Sequence, residues 1–124
     1  MQARILIVED LADTRRLIRW ALEEAGHRLH EAASGALALQ IAQALRPDLM
    51  LVDVVMPGEI GGLELCAQVR QDPTLADTKL IVLSASAAPH ERQRALAAGA
   101  NAFLAKPFSP VRLAELIDEV LAAD

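Results

Sequence analysis

The sequence predicts an α/β fold, a single parallel β-sheet with helices on both faces, assembled from five β-α units. Three observations carry this. Short strand-like apolar segments alternate with amphipathic or alanine-rich helical segments along the chain. The runs beginning at Ile5, Leu49 and Leu80 are apolar throughout, as central strands covered on both faces must be. The acidic, hydroxyl and basic residues that stand out recur at the ends of these runs, where open α/β sheets place their chemistry.

Taken in order, Arg4 to Val8 reads as the first strand. Helix one follows from about Ala12 to Ala25, with Leu17, Ile18, Ala21, Leu22 and Ala25 on one side, and it stops at Gly26, a residue suited to a left-handed cap. The second strand, Arg28 to Ala32, is interrupted by Arg28, His30 and Glu31, so it belongs at a sheet edge. A helical segment leads to the third strand, Leu49 to Asp53, and another to the fourth, Leu80 to Ser84. Helix four, roughly Pro89 to Ala98, has only Leu96 and several alanines to bury, which marks it as weakly anchored and a candidate for movement. Strand five covers Ala102 to Ala105. The last helix starts at Ser109-Pro110, an N-cap followed by proline at the first helical position, and runs through Leu113, Leu116, Ile117, Val120 and Leu121.

With 124 residues and 53% hydrophobic content the chain can build one core, so residues 1–124 are read as one domain without internal repeat, linker or low-complexity tail. Twelve basic against 17 acidic residues leave a net charge of −5, which argues against a direct nucleic-acid role. The single cysteine, Cys66, rules out a disulfide within the chain and suits a reduced, cytoplasmic setting; it reads as buried and inert. No apolar stretch approaches the roughly 20 residues of a membrane helix, and the N-terminus lacks a signal-peptide layout. His27, His30 and His90 lack zinc-ligand spacing, and Trp20 reads as packing or a partial surface patch.

The chemistry gathers at the predicted C-terminal edge of the sheet: Glu9-Asp10 after strand one, Asp53 closing strand three, Ser84 closing strand four, and Lys106 after strand five. Clustered carboxylates repel one another and hold a proton unless a cation neutralises them. Oxygen ligands without histidine or thiolate favour Mg²⁺. A metal, a lysine and a hydroxyl around one carboxylate suit stabilisation of a phosphoryl group in transfer, with Asp53 as the nucleophile that forms an acyl phosphate. The bland readings are a loop-capping Asp53, helix-capping Glu9 and Asp10, a surface Lys106 and an ordinary strand-end Ser84, and the convergence of these four sites outweighs each; for Phe103 the plain core reading stays open beside any other role.

Over its whole length the chain resembles the receiver domain of two-component response regulators. The matching pieces are Glu9-Asp10, Asp53 followed by Met56-Pro57, Leu83-Ser84-Ala85, Gly99-Ala100 and Lys106-Pro107-Phe108. The resemblance implies a flavodoxin-like doubly wound three-layer fold with strand order 2-1-3-4-5. It implies that Asp53 accepts a phosphoryl group from a phosphohistidine on a sensor histidine kinase or phosphotransfer protein. Mg²⁺ would be held by Asp10, Asp53 and the backbone carbonyl of Val55, with Glu9 acting through water. Ser84 would be the switch hydroxyl, Lys106 the contact to a phosphoryl oxygen, and Phe103 the aromatic switch position. Val55 and Ser86 occupy positions that tune dephosphorylation. The face of helix four, strand five and helix five would change shape for a downstream protein, a tethered output domain or a homodimer.

Two departures stand out. The loop Gly58 to Gly62 looks one residue longer than the family's usual form and lacks its aspartate before glycine, and the acidic pair begins with glutamate. An aspartate-nucleophile phosphatase would want a second aspartate where Val55 stands. A nucleotide-binding domain would want glycines where Glu9 to Asp13 is acidic. The chain is therefore expected to catalyse only its own phosphorylation and dephosphorylation, not turnover of an external substrate. The alternative is a receiver-like docking module that works without phosphorylation.

Overall fold

The computed structural model describes residues 2–56 and 58–123. Its elements run β1 (Arg4–Val8), α1 (Ala12–Glu23), β2 (Arg28–Ala32), α2 (Gly35–Leu45), β3 (Leu49–Asp53), α3 (Gly62–Gln71), β4 (Lys79–Ser84), α4 (Pro89–Ala97), β5 (Ala102–Ala105) and α5 (Pro110–Ala122), with a 3-10 turn at Pro73–Leu75. All pairings are parallel and the order is β2-β1-β3-β4-β5, so the charged β2 does lie at an edge.

Strand alternation builds two cores from one sheet. Leu6, Val8, Met50, Val52, Leu80 and Val82 face one side, where α2, α3 and α4 cover them through Ala38, Ala42, Leu65, Cys66, Val69 and Ala95. Ile5, Ile7, Leu49, Leu51, Ile81 and Leu83 face the other, against Ile18 and Leu22 of α1 and Leu113 and Ile117 of α5. This is why β1, β3 and β4 read as unbroken apolar runs: both parities are buried.

The helix ends follow local chemistry. Gly26 adopts φ +80, as the sequence requires after helix one. Ser34 caps α2 by accepting from Leu37 N at 3.2 Å, and Ser109 caps α5 by accepting from Arg112 N at 3.0 Å. One expectation is corrected. Leu96 does not anchor α4; it is 42% exposed, and the buried residue is Ala95. The helix therefore meets the sheet through a methyl group, and its attachment is weaker than the sequence suggested. No helix among the described residues is long and apolar enough to cross a membrane.

Candidate functional site

The register brings the strand ends together. Val8 pairs with Val52, so Glu9 and Asp53 are the next residues on adjacent strands, while Asp53 pairs with Leu83 and Ser84 with Ala105. Backbone bonds extend the ladder past the strands: Glu9 N donates to Ala32 O at 3.1 Å, Val54 N to Leu83 O at 3.0 Å and Lys106 N to Ser84 O at 2.7 Å. The peptide bond from Lys106 to Pro107 is cis.

Lys106 is the hub of the site. Its Nζ donates to Asp53 Oδ2 at 2.8 Å and to Glu9 Oε1 at 3.1 Å. Asp53 Oδ1 accepts from Val55 N at 3.1 Å. Asp53 is buried and Glu9 is wholly inaccessible, yet among the described residues Glu9 Oε2 has no hydrogen-bond partner. Burial, reinforced by its hydrogen bond with Asp53, pushes the Glu9 carboxyl up to about 7, with Lys106 opposing. Burial also acts to raise Asp53, but its hydrogen bonds with Glu9, Lys106 and the Val55 amide outweigh that and hold it below the usual value. One proton is thus held on Glu9 while Asp53 stays ionised, the split that two adjacent carboxylates impose.

Glu9, Asp10 and Asp53 each place a carboxylate oxygen within 4.8 Å of the others. The donor set is all oxygen, and the orphaned, buried Glu9 Oε2 is a group that a cation would satisfy; these residues fit Mg²⁺. The capping reading of the acidic pair fails, because the N-cap of α1 is Leu11 and no side chain caps that end.

The remaining predicted residues lie around this centre. Ser84 is buried, and its Oγ accepts from Ser86 N at 3.1 Å; Ser86 Oγ in turn accepts from Ala88 N, the N-cap of α4, at 3.3 Å. Val55 turns its amide to Asp53 while its side chain is 74% exposed. Phe103 is partly buried against the core beneath α4. In the Met56-Pro57 motif, Met56 is buried and Pro57 lies outside the described residues. Cys66 is buried, and burial raises its thiol to about 11, too high for a reactive thiolate.

Two supporting residues escaped the sequence reading. Arg15 Nη1 donates to the carbonyls of Glu9 and Asp10 at 2.8 and 3.2 Å, while its Nε binds Glu31, so it pins the backbone that presents the acids. Gly62 opens α3 so close to β3 that a Cβ there would overlap the Asp53 carbonyl oxygen and crowd Val54 Cα. Gly62→Ala is expected to cost about 2 kcal/mol, in the range of core overpacking. Urea denaturation would check this, and a loss below about 0.5 kcal/mol would show that the β3–α3 backbone yields freely.

Comparison with known proteins places this geometry. The model of the response regulator receiver domain matches residues 5–118. The chain is 36% identical to the phosphate regulon transcriptional regulatory protein PhoB of Pseudomonas aeruginosa, over 94% of this chain but only 51% of that protein. It thus spans about half the length of that curated relative. Among solved structures, the chemotaxis response regulator CheY4 of Vibrio cholerae superposes with a TM-score of 0.91 at 32% identity, covering 97% of this chain and 99% of that one. The receiver domain of sensor histidine kinase PA1611 from Pseudomonas aeruginosa has a TM-score of 0.90 at 28% identity, covering 99% and 100%; that structure has a magnesium ion coordinated in its active-site cleft.

Proposed function

The chain belongs to the response regulator receiver domain family, and from that premise we propose that Asp53 takes a phosphoryl group, in a Mg²⁺-dependent transfer, from the phosphohistidine of a sensor kinase or phosphotransfer protein. The observation that carries this is the state of Asp53: a buried carboxylate held ionised between Lys106 Nζ and the Val55 amide. An Asp53 oxygen forms the new O–P bond as the P–N bond to imidazole breaks, and the ring nitrogen keeps that electron pair. The product is an acyl phosphate. Mg²⁺, with Asp10, Asp53 and the Val55 carbonyl as ligands and Glu9 acting through water, would neutralise the clustered carboxylates and the phosphoryl oxygens.

Lys106 supplies a fixed positive charge where the phosphoryl oxygens arrive, at no reorganisation cost. Ser84 keeps its hydroxyl proton free to donate, because in its contact with Ser86 it only accepts. Movement of Ser84 toward the phosphoryl group would break that contact and loosen the serine ladder that holds the start of α4. Since α4 buries only Ala95, the α4 part of the switch surface that it forms with β5 and α5, with Phe103 beneath it, is weakly restrained. The partner on that surface is a downstream protein, an output domain or a second copy. The chain turns over no external substrate.

Intact mass after incubation with acetyl phosphate tests the reading. With Mg²⁺ the protein is expected to gain one phosphoryl group, and with EDTA none. No gain under either condition, together with no Mg²⁺ binding by titration, would leave a docking module that works without phosphorylation.

Val55 sets a further expectation. Its exposed apolar side chain cannot orient a water for attack on the acyl phosphate, so Val55→Asn is expected to shorten the phosphoryl lifetime by about tenfold, a modest positioning gain. The decay of the phosphorylated mass peak measures it directly, and an unchanged rate would remove Val55 from the mechanism.

A further inference from the structure

Two arginines of α1 grip one carboxylate on the edge strand, Glu31, which takes no direct part in phosphoryl transfer. Arg15 Nε donates to Glu31 Oε1 at 3.1 Å, and Arg19 Nη1 to Glu31 Oε2 at 2.9 Å. The other bond of Arg19 goes to Glu23, at 3.1 Å on its own helix. Arg15 instead reaches inward: its Nη1 donates to Glu9 O at 2.8 Å and to Asp10 O at 3.2 Å. One planar, permanently charged group therefore joins the end of β2 to the backbone of the acidic cluster. An ion pair open to water contributes little to stability, so this one is better judged by what it holds in place.

The loop after β1 has few other holds. Glu9 N donates to Ala32 O at 3.1 Å, and α1 begins at Leu11 with no side-chain cap. Lys106 fixes the Glu9 carboxyl. The Asp10 side chain, by contrast, makes no hydrogen bond or ion pair among the described residues. Its direction is therefore set by its own backbone, whose carbonyl Arg15 holds. Arg15 is in turn kept from swinging away, because Glu31 fixes its Nε and removes much of the rotamer freedom a lone arginine would have.

We propose that Arg15 and Glu31 are positioning residues for the metal site: Arg15 holds the Glu9 and Asp10 carbonyls, Glu31 holds Arg15, and Mg²⁺ affinity at Glu9, Asp10 and Asp53 is set in part from the edge strand. This role rests on the Mg²⁺-dependent transfer proposed above. It differs in sign from a plain charge effect. A positive charge beside a cation site repels the cation, so on charge alone the loss of Arg15 tightens binding, whereas loss of positioning weakens it. The hydrogen bonds of Asp53 to Lys106 Nζ and the Val55 amide involve neither residue, so the setting of the nucleophile survives their loss.

Calorimetric titration with Mg²⁺, paired with initial rates of phosphoryl uptake from acetyl phosphate across a Mg²⁺ series, tests this. Arg15→Ala is expected to weaken Mg²⁺ binding about tenfold, the low end for losing a group that orients metal ligands. The half-saturating Mg²⁺ for uptake should rise by the same factor while the rate at saturating Mg²⁺ stays near wild type, a split that a damaged fold would not give. Arg15→Lys keeps the charge, but one ammonium cannot hold Glu31 and two carbonyls together, so it should weaken binding as well. Glu31→Ala should cost less, about threefold, since Arg15 keeps its carbonyl bonds, and should add nothing once Arg15 is alanine. Near-UV circular dichroism would show each variant packed as the wild type is. Unchanged or tighter binding in Arg15→Ala and Arg15→Lys, a lowered plateau at unchanged half-saturating Mg²⁺, or a Glu31→Ala effect that persists in the double variant would each overturn the proposal. A wild type that binds Mg²⁺ and takes up the phosphoryl group while the variants match it sinks this role alone; a wild type that does neither sinks the transfer reading with it.

Discussion

Asp53→Asn is expected to abolish phosphoryl gain from acetyl phosphate in the presence of Mg²⁺ while leaving the fold intact. The carboxamide is close to isosteric with the carboxylate, and its oxygen can still accept from the Val55 amide, so the β3 exit keeps its local hydrogen bond. What the substitution removes is the anionic oxygen now 2.8 Å from Lys106 Nζ, the only nucleophile in the arrangement that is both ionised and held in place. Glu9 cannot replace it: it is wholly buried and has no accessible oxygen to present to a phosphoryl donor. Asp10 is more accessible, but no hydrogen bond from Lys106 Nζ or the Val55 amide reaches it. Intact mass on the variant, with near-UV circular dichroism as a control for packing, checks the expectation. A full phosphoryl increment on folded Asp53→Asn would move the acceptor to another carboxylate and sink the assignment.

The strands and their order of burial were legible because both parities of β1, β3 and β4 are apolar, and the edge position of β2 because its parities are not. The site was legible for a related reason: parallel strands put all their C-terminal ends on one edge, so chemistry recurring after apolar runs had to converge. Helix α4 was harder. It is nine residues long and rich in alanine, so the phase of its buried face is weak in sequence: Leu96 and several alanines were all candidates for burial, and Ala95 is the one buried. Arg15 was hidden because its function lies in long reach to two carbonyls, which no periodicity records. Gly62 appeared only as one glycine in a loop; its need for close approach to Asp53 depends on the path of α3. The division of charge between Glu9 and Asp53 depends on Lys106, 97 residues from Glu9, reaching both.

That division predicts an unusual pH dependence of stability in the metal-free chain. Unfolded, Glu9 titrates near its ordinary 4.5; folded, it holds its proton to about 7. Between these values the folded state binds more protons than the unfolded, so this group's contribution to stability falls as pH rises through the window and is level above it. The span from 4.5 to about 7 corresponds to at most about 3 kcal/mol. Denaturation in EDTA at pH 5, 6, 7 and 8 should therefore show wild type losing stability relative to Glu9→Gln, whose amide does not titrate. The difference between the two proteins cancels His27, His30 and His90, which both share. Asp53→Asn should shrink the slope, since the hydrogen bond and charge that help hold the Glu9 proton are gone. Mg²⁺ should stabilise wild type more at pH 8 than at pH 5, because binding near Glu9 competes with its proton. Parallel pH profiles for wild type and Glu9→Gln would mean that Glu9 is ionised throughout. The unpartnered Oε2 would then be paired by a group other than a proton or a cation, and the reading of this pocket as one built to trade a proton for a metal would fall.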